Sequence, residues 1–405
     1  MLMRALSVFS GMGGLDEGLE QAGFDLVGAV DKSEFVATNH PINFPHVPFY
    51  HGDTRDLLAD DWEDKDGSFS IDDLDLLAGG PPCQGVSQIG PRNVDDVRND
   101  LFEVYVKLAA EYQPKAVLME NVPNIHQLND GQFDQEVRKG LQNNGYSNVI
   151  RVNLHADDYG IPQKRERAFY FATRDDLTLD YELKQFVKAM SDSLEADKRV
   201  SVWDAIGDLP DEVVEDGNTL PYPDCDKPTD YQREMRRDYD GDIYTAEEVL
   251  SRGISERDPT KLYHQHTKGI TQVRIDRIRH LEPGDDGGVI PDDLWDGRRW
   301  KYRRLPFDEP SHTLTAQMHR DLAEWIHPKK ELDRWITVRE AMRLQSFHDG
   351  FVLKVSEYQQ LKQIGNSVPP ILGRVVGRIS EAMLQNALEG RTPIDSQVQS
   401  TLQGF

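Results

Sequence analysis

A glycine-rich turn, FSGMGG at 9–14, follows directly on the short apolar run Ala5–Phe9, and this pairing constrains the fold most. The run reads as a strand. Leu15, Leu19 and Ala22 then recur at helical spacing, and Gly23 is a natural stop. Glycines at a strand-to-helix turn let the backbone approach a ligand, and a helix N-terminus favours negative charge. The pattern is not GxGxxG, so a dinucleotide pyrophosphate is not the obvious guest. A ligand with an amino-acid tail and an adenosine fits as well, and so does a plain tight turn.

The same alternation continues. Phe24–Val30 reads as a strand ending at Asp31, and Leu74–Ala78 as one ending in GGPPC. Leu101, Val104, Tyr105, Leu108 and Tyr112 mark an amphipathic helix that stops before Pro114. Ala116–Met119, Val149–Leu154 and Ala168–Ala172 are further strands. Alternating strands and helices predict an α/β fold with a doubly wound, mostly parallel sheet, its ligands outside the carboxyl ends of the strands. Residues 54–75 read as an acidic insertion. From about 176 to 310 Pro, Asp and Gly become frequent, as in a second, smaller, irregular domain; a chain of 405 residues has room for it. Helical patterning returns near 335, a final helix is expected over 366–388, and 391–405 reads as a loose tail.

The chemistry gathers at strand ends. Asp31 stands where an acid typically binds ribose hydroxyls; the plain alternative is a solvated acid. Cys83, in GGPPCQGVS, lies in a loop where burial is unfavourable and reactivity plausible, although a free cysteine is more often a small buried hydrophobe. Glu120, in ENVPN, would share its sheet edge, as a raised-pKa acid or as a loop acid. In QKRER, strand alternation puts Arg165 and Arg167 on one face, unless the run is simply solvated charge.

Charge complicates the choice of partner. Lys and Arg number 46 against 71 Asp and Glu, a net −25. That balance argues against nucleic acid, unless the protein works in concentrated salt, where the Debye length is about 3 Å at 1 M. The even spread of acid favours the second option, a halophilic protein. Three basic clusters stand out against it: Arg233, Arg236 and Arg237; Arg274, Arg277 and Arg279; and RRWKYRR at 298–304. Such clusters suit a nucleic-acid face, or mere surface balancing. The two cysteines, Cys83 and Cys225, exclude a disulfide scaffold and a cysteine-based zinc site, and no metal site is expected. No apolar run approaches the roughly 20 residues of a membrane span, and no signal peptide is evident. A soluble, cytoplasmic protein with no membrane partner is expected.

Taken in order along almost the whole chain, these motifs resemble the DNA cytosine carbon-5 methyltransferases. FSGMGG resembles the cofactor loop, PPCQG the catalytic loop, ENV the acid motif and QKRER the arginine motif. VREAMRLQSF at 338–347 and QIGNSVPP at 363–370 resemble the last two motifs. The resemblance implies S-adenosylmethionine as cofactor, held by Phe9, Gly11, Gly13, Gly14, Leu15, Asp31, Asp53 and Asn366, with Phe9 against the adenosine and Asp53 at the adenine amino group. Asp31 replaces the usual Glu, and Lys32 a usual apolar residue. The catalytic set implied is Cys83 with its neighbours Pro82 and Gln84, together with Glu120, Arg165 and Arg167.

It further implies that a cytosine flipped out of double-stranded DNA is attacked at carbon 6 by Cys83. Glu120 would serve ring nitrogen 3 and Arg165 the ring oxygen, with the loop running from Cys83 to Arg98 as a lid. Residues 1–175 plus 356–405 would form the catalytic domain and 176–355 the target-recognition domain. A monomer is expected, with a restriction endonuclease as a candidate companion. Two alternatives stay open: the same chemistry on tRNA, and a non-catalytic paralogue that only binds DNA.

Overall fold

A computed structural model describes residues 2–82, 101–124, 132–240, 258, 260–294 and 299–389. Seven strands form one sheet: β1 (Met3–Val8), β2 (Phe24–Asp31), β3 (Phe49–His51), β4 (Leu76–Gly79), β5 (Ala116–Asn121), β6 (Asn148–His155) and β7 (Glu166–Thr173). Their order is β3-β2-β1-β4-β5-β7-β6. The first five run parallel, as expected, whereas β7 is antiparallel to both β5 and β6. The chain winds outward from β1 to β3, then returns to place β4 on the other side of β1. The carboxyl ends of β1 and β4 therefore diverge, which opens a crevice between them.

Helices cover both faces because each strand alternates two apolar sides. Leu76, Leu118 and Phe169 face one core, and Leu77, Val117 and Tyr170 the other. Against the second core lie α3 (Leu101–Tyr112) and α4 (Gln132–Gln142); α1 (Gly14–Gln21) packs against the first, while α2 (Glu34–Asn43) links β2 to β3. After β7 come α5 (Leu183–Ser193), α6 (Val202–Ile206) and α7 (Asp230–Asp240). Among the described residues from there to 336 lie short turns, two-residue strands and one seven-residue helix, Gln272–Ile278, the irregular pattern its composition suggested. The first core runs unbroken into this stretch through Tyr231, Leu262, Trp325 and Trp335. The acidic segment 54–75 is docked, with Trp62 buried edge-on between Tyr50 and Phe69.

Regular helices return as α8 (Val338–Leu344), α9 (Glu357–Asn366) and α10 (Pro370–Glu389). The single final helix expected over 366–388 is thus broken. Asn366 ends α9, and α10 begins at Pro370, whose missing N–H costs nothing in a first turn. Helix α10 lies tightly on α1. A Cβ added at Gly18 would stand 2.3 Å from the backbone of Gly373 and Arg374. Among the described residues, no helix is long and apolar enough to cross a membrane.

Candidate active site

A cavity of about 530 Å³ occupies the crevice. Five strand ends reach it, through Phe9–Met12 after β1, Asp31 on β2, Asp53 after β3, Gly79–Pro82 at β4 and Glu120 on β5; Asn366 of α9 closes the far wall. Phe9, Gly11, Leu15, Asp31, Asp53, Pro82, Glu120, Arg167 and Asn366 therefore meet as expected from sequence. Cys83, Gln84 and the 83–98 lid lie outside the described residues. The chain enters Cys83 directly from the Pro81–Pro82 wall.

The cofactor-loop side is built from backbone. Phe9 and Gly11 both adopt left-handed conformations, at φ 56° and 57°. For Phe9 this costs about 1–2 kcal/mol, strain of the kind that collects at ligand loops. Asp31 fixes the loop: its carboxylate accepts from Gly11 N at 2.9 Å and Ser33 N at 2.8 Å. Burial lifts its carboxyl above the ordinary range, against the pull of those two N–H groups. Asp53 is held differently. Burial pushes its carboxyl up, but bonds from the Arg55 backbone and guanidinium outweigh this and keep it below the usual value.

Gly13 and Gly14 depart from the expectation, because neither lines the cavity. A Cβ at Gly13 would meet the Phe44 ring at 2.4 Å, and one at Gly14 the Val368 carbonyl at 2.0 Å. Their smallness lets α1 pack against its neighbours.

At the other end of the cavity Glu120 and Arg167 form an ion pair, Nε to Oε1 at 3.0 Å, with only 14–15% of either side chain exposed. Burial raises the Glu120 carboxyl above its usual range, opposed by Arg167 and Arg165. The Glu120 carboxylate packs against Gly80, where a Cβ would stand 2.9 Å away. Here the glycine of GGPPC makes room for the acid of ENV.

Arg165 does not share this position. It is 1% exposed, and its guanidinium donates to the carbonyls of Leu314 (2.7 Å), Gly365 (3.1 Å) and Ser367 (2.8 Å). The alternation of QKRER is broken by a one-residue gap between the two-residue strand Gln163–Lys164 and β7. The gap sends Arg165 into the core and leaves Arg167 at the cavity. Arg165 therefore does not reach the cavity where it was expected, and Arg167 does.

Sequence reasoning missed Asn121, next to Glu120. Its amide donates to the Pro81 carbonyl at 3.0 Å and its side-chain oxygen accepts from Val122 N at 2.8 Å, tying the approach to Cys83 to the end of β5. It also missed Gln163, whose side chain bonds Leu344 O, Gln345 and Leu314 N. A buried polar residue inside a motif was the available signal in both cases.

The basic clusters are largely spent inside the protein. Arg236 meets Asp208 at 2.6 Å, Arg274 meets Asp321 at 2.7 Å, Arg279 meets Asp333, and Arg233 meets Asp230. Arg277 donates to the Leu294 carbonyl, and the buried Arg304 to four carbonyls, those of Ile278, Leu281, His327 and Lys329. Within RRWKYRR, Tyr302 is buried while Trp300 is 66% exposed. Among the described residues most of these arginines bind acids or carbonyls of the same stretch, although Arg233 and Arg279 keep more than half of their side chains exposed.

Residues 3–381 match the family described as C-5 cytosine-specific DNA methylase. The chain is 31% identical to Type II methyltransferase M.AgeI of Thalassovita gelatinovora, covering 92% of this chain and 98% of that protein. It is 34% identical to Type II methyltransferase M.XorII of Xanthomonas oryzae pv. oryzae, covering 92% and 83%. A prophage-encoded E. coli protein, solved as a candidate DNA modification methyltransferase, superposes with a TM-score of 0.73 at 26% identity, over 95% of this chain and 99% of that one.

Proposed function

The chain belongs to the C-5 cytosine-specific DNA methylase family, which transfers a methyl group from S-adenosylmethionine to cytosine in DNA, and on that premise we propose how its residues divide the work. One observation carries the reading. A single cavity joins the loop after β1 to the Glu120–Arg167 pair and to the segment entering Cys83.

The cofactor supplies the methyl group. When bound, it would be held with its ribose at Asp31 and its adenine at Asp53, within the cavity wall that Phe9, Gly11, Leu15 and Asn366 complete. The flipped cytosine enters at the Glu120 end. The Cys83 thiolate forms a bond to ring carbon 6. Glu120, whose carboxyl burial raises against the pull of Arg167 and Arg165, passes a proton to ring nitrogen 3 as the addition pushes charge into the ring. Arg167 binds the ring oxygen and orients Glu120. Arg165 holds Leu314 and α9 in place behind them. Carbon 5 would then take the methyl group; a solvent-borne base removes the proton there, the freed electron pair re-forms the double bond between carbons 5 and 6 and expels the Cys83 thiolate, and ring nitrogen 3 returns its proton to Glu120. Residues 176–355 form the target-recognition part, and 1–175 with 356–405 the catalytic part. The substrate is a specific double-stranded site, and the protein acts as a monomer alongside a restriction endonuclease.

The covalent adduct tests this. With 5-fluorocytosine in the site, carbon 5 cannot lose fluorine as a cation, so the bond to Cys83 should persist. A denaturant-resistant protein–DNA complex is expected that requires S-adenosylmethionine. Cys83→Ser should abolish it, since a hydroxyl is a far weaker nucleophile at neutral pH, and Cys225→Ser should not. A complex that survives Cys83→Ser refutes the assignment.

A further inference from the structure

Positive charge is scarce on this surface, and exposed cations such as Lys107, Lys188, Arg279 and Lys330 each lie against an acid. The short turn Ala316–His319 and the helix α9 on which it packs are different. Arg320 and Lys362 are exposed there, and neither has a carboxylate within ion-pair distance among the described residues. Arg320 Nε instead donates to His319 Nε2 at 3.2 Å, and the Lys268 ammonium donates to the His319 carbonyl. The His319 ring meets Tyr358 edge-on, centroids 4.4 Å apart, and Tyr358 is 47% exposed. Lys362 follows Tyr358 by one helical turn and so shares its face. Burial, with Arg320, Lys362 and Lys268 nearby, holds His319 below its usual range. Of the neighbouring acids, Asp321 is taken by Arg274 at 2.7 Å, and Glu357 bears on Lys268.

The position of this patch matters as much as its charge. The turn hangs from Leu314, whose carbonyl receives Arg165. Thr313, one residue earlier, borders a polar groove that also includes Arg167. Lys362 itself reaches the rim of the cofactor cavity. Of the two unpaired cations, Lys362 thus lines the cavity that holds Glu120 and Arg167, and Arg320 and Tyr358 stand beside it on the same turn and helix.

We propose that Arg320, Lys362 and Tyr358 form a contact for the sugar-phosphate backbone of the DNA, beside the point where the target base enters the cavity. The contact rests on the assignment of DNA as substrate. Cations supply the phosphate attraction and the tyrosine a flat surface with a hydroxyl donor.

The test is the salt dependence of DNA binding by the full chain, measured with Arg320→Ala, Lys362→Ala and Arg320→Lys. Each cation that meets a phosphate contributes about 0.9 to the slope of log K against log salt. Both alanine variants should lower the slope by about that amount and weaken DNA binding severalfold, and Arg320→Lys should restore it. An unchanged slope in both alanine variants overturns the contact. So does Lys362→Ala that weakens S-adenosylmethionine binding while leaving the slope intact, because Lys362 would then belong to the cofactor wall alone. If wild-type protein methylates DNA and the slopes do not move, only this contact fails. If wild-type protein transfers no methyl group to DNA, the substrate assignment fails with it.

Discussion

Arg165 and Arg167 stand two positions apart in one motif and end in opposite environments. Arg165 satisfies three buried carbonyls, whereas Arg167 pairs with Glu120 on the cavity wall. Mutation should separate them. Arg165→Met leaves those carbonyls without a donor in the core and should cost about 1–3 kcal/mol of stability for each, the range for a buried acceptor left unsatisfied. Arg167→Met strands the buried Glu120 carboxylate, so it too should lower stability, by up to about 3–5 kcal/mol, and in addition lower kcat by about 10²–10³, the usual loss for one donor aimed at developing charge. A kcat loss in Arg165→Met as large as that in Arg167→Met, at conditions where both are folded, would contradict this division. Glu120 gives a second test, through pH. Burial raises its carboxyl, so the protonated form persists to higher pH than in a free side chain. Activity that needs this proton is full below the folded-state pKa and declines as pH rises through it. The kcat profile should therefore fall on its alkaline side. Glu120→Gln, which can donate a hydrogen bond but no proton, should lower kcat by about 10²–10⁴ and remove that limb. A limb that persists in Glu120→Gln belongs to another group.

Helix α1 shows what the sequence made legible and what it did not. Its start after a glycine turn, its apolar spacing and its stop at Gly23 were all readable locally, and so were the strands that carry Asp31 and Glu120. Each is set by periodicity and by residues next to one another in the chain. The use of Gly13, Gly14 and Gly18 was not readable. Their partners are Phe44, Val368 and the Gly373–Arg374 backbone, the last some 350 positions away. The break between α9 and α10, and the inward turn of Arg165, likewise depend on contacts made only after folding. Antiparallel β7 was hidden for a related reason: a buried strand shows the same apolar run in either direction. The packing of α1 on α10 leads to a prediction at this scale. Gly18→Ala gains helix propensity of about 1 kcal/mol. The new methyl carbon, however, would stand 2.3 Å from backbone atoms of α10, and backbone cannot rotate away as a side-chain tip can. Overpacking costs about 1–3 kcal/mol and should win. Gly18→Ala is expected to lower the denaturant midpoint; a variant as stable as wild type would mean that α10 yields easily.

Across the whole molecule the dominant fact is charge: −25 over 405 residues. The arginines that might have offset it locally are mostly committed to neighbouring acids and carbonyls. Exposed acid on the rest of the surface repels itself and any DNA strand. Salt changes both terms, but not in the same direction. The Debye length falls from about 10 Å at 0.1 M to about 3 Å at 1 M, so repulsion between surface acids fades and folding should be favoured. Contacts with phosphate weaken over the same range, because counterions released on binding gain less entropy in concentrated salt. A protein that keeps few free cations loses little by that second effect. On the proposed mechanism its grip on DNA would then lean on base edges and on the flipped cytosine. The expected outcome is a protein whose melting temperature and methylation rate both rise toward molar salt. Its DNA affinity should decline less steeply with salt than that of a basic DNA-binding protein. Thermal unfolding and initial methylation rates measured from 0.1 M to molar salt would decide the matter. Full activity with an unchanged melting temperature in 0.1 M salt would show that the acidic surface is tolerated without screening, and the salt requirement would be wrong.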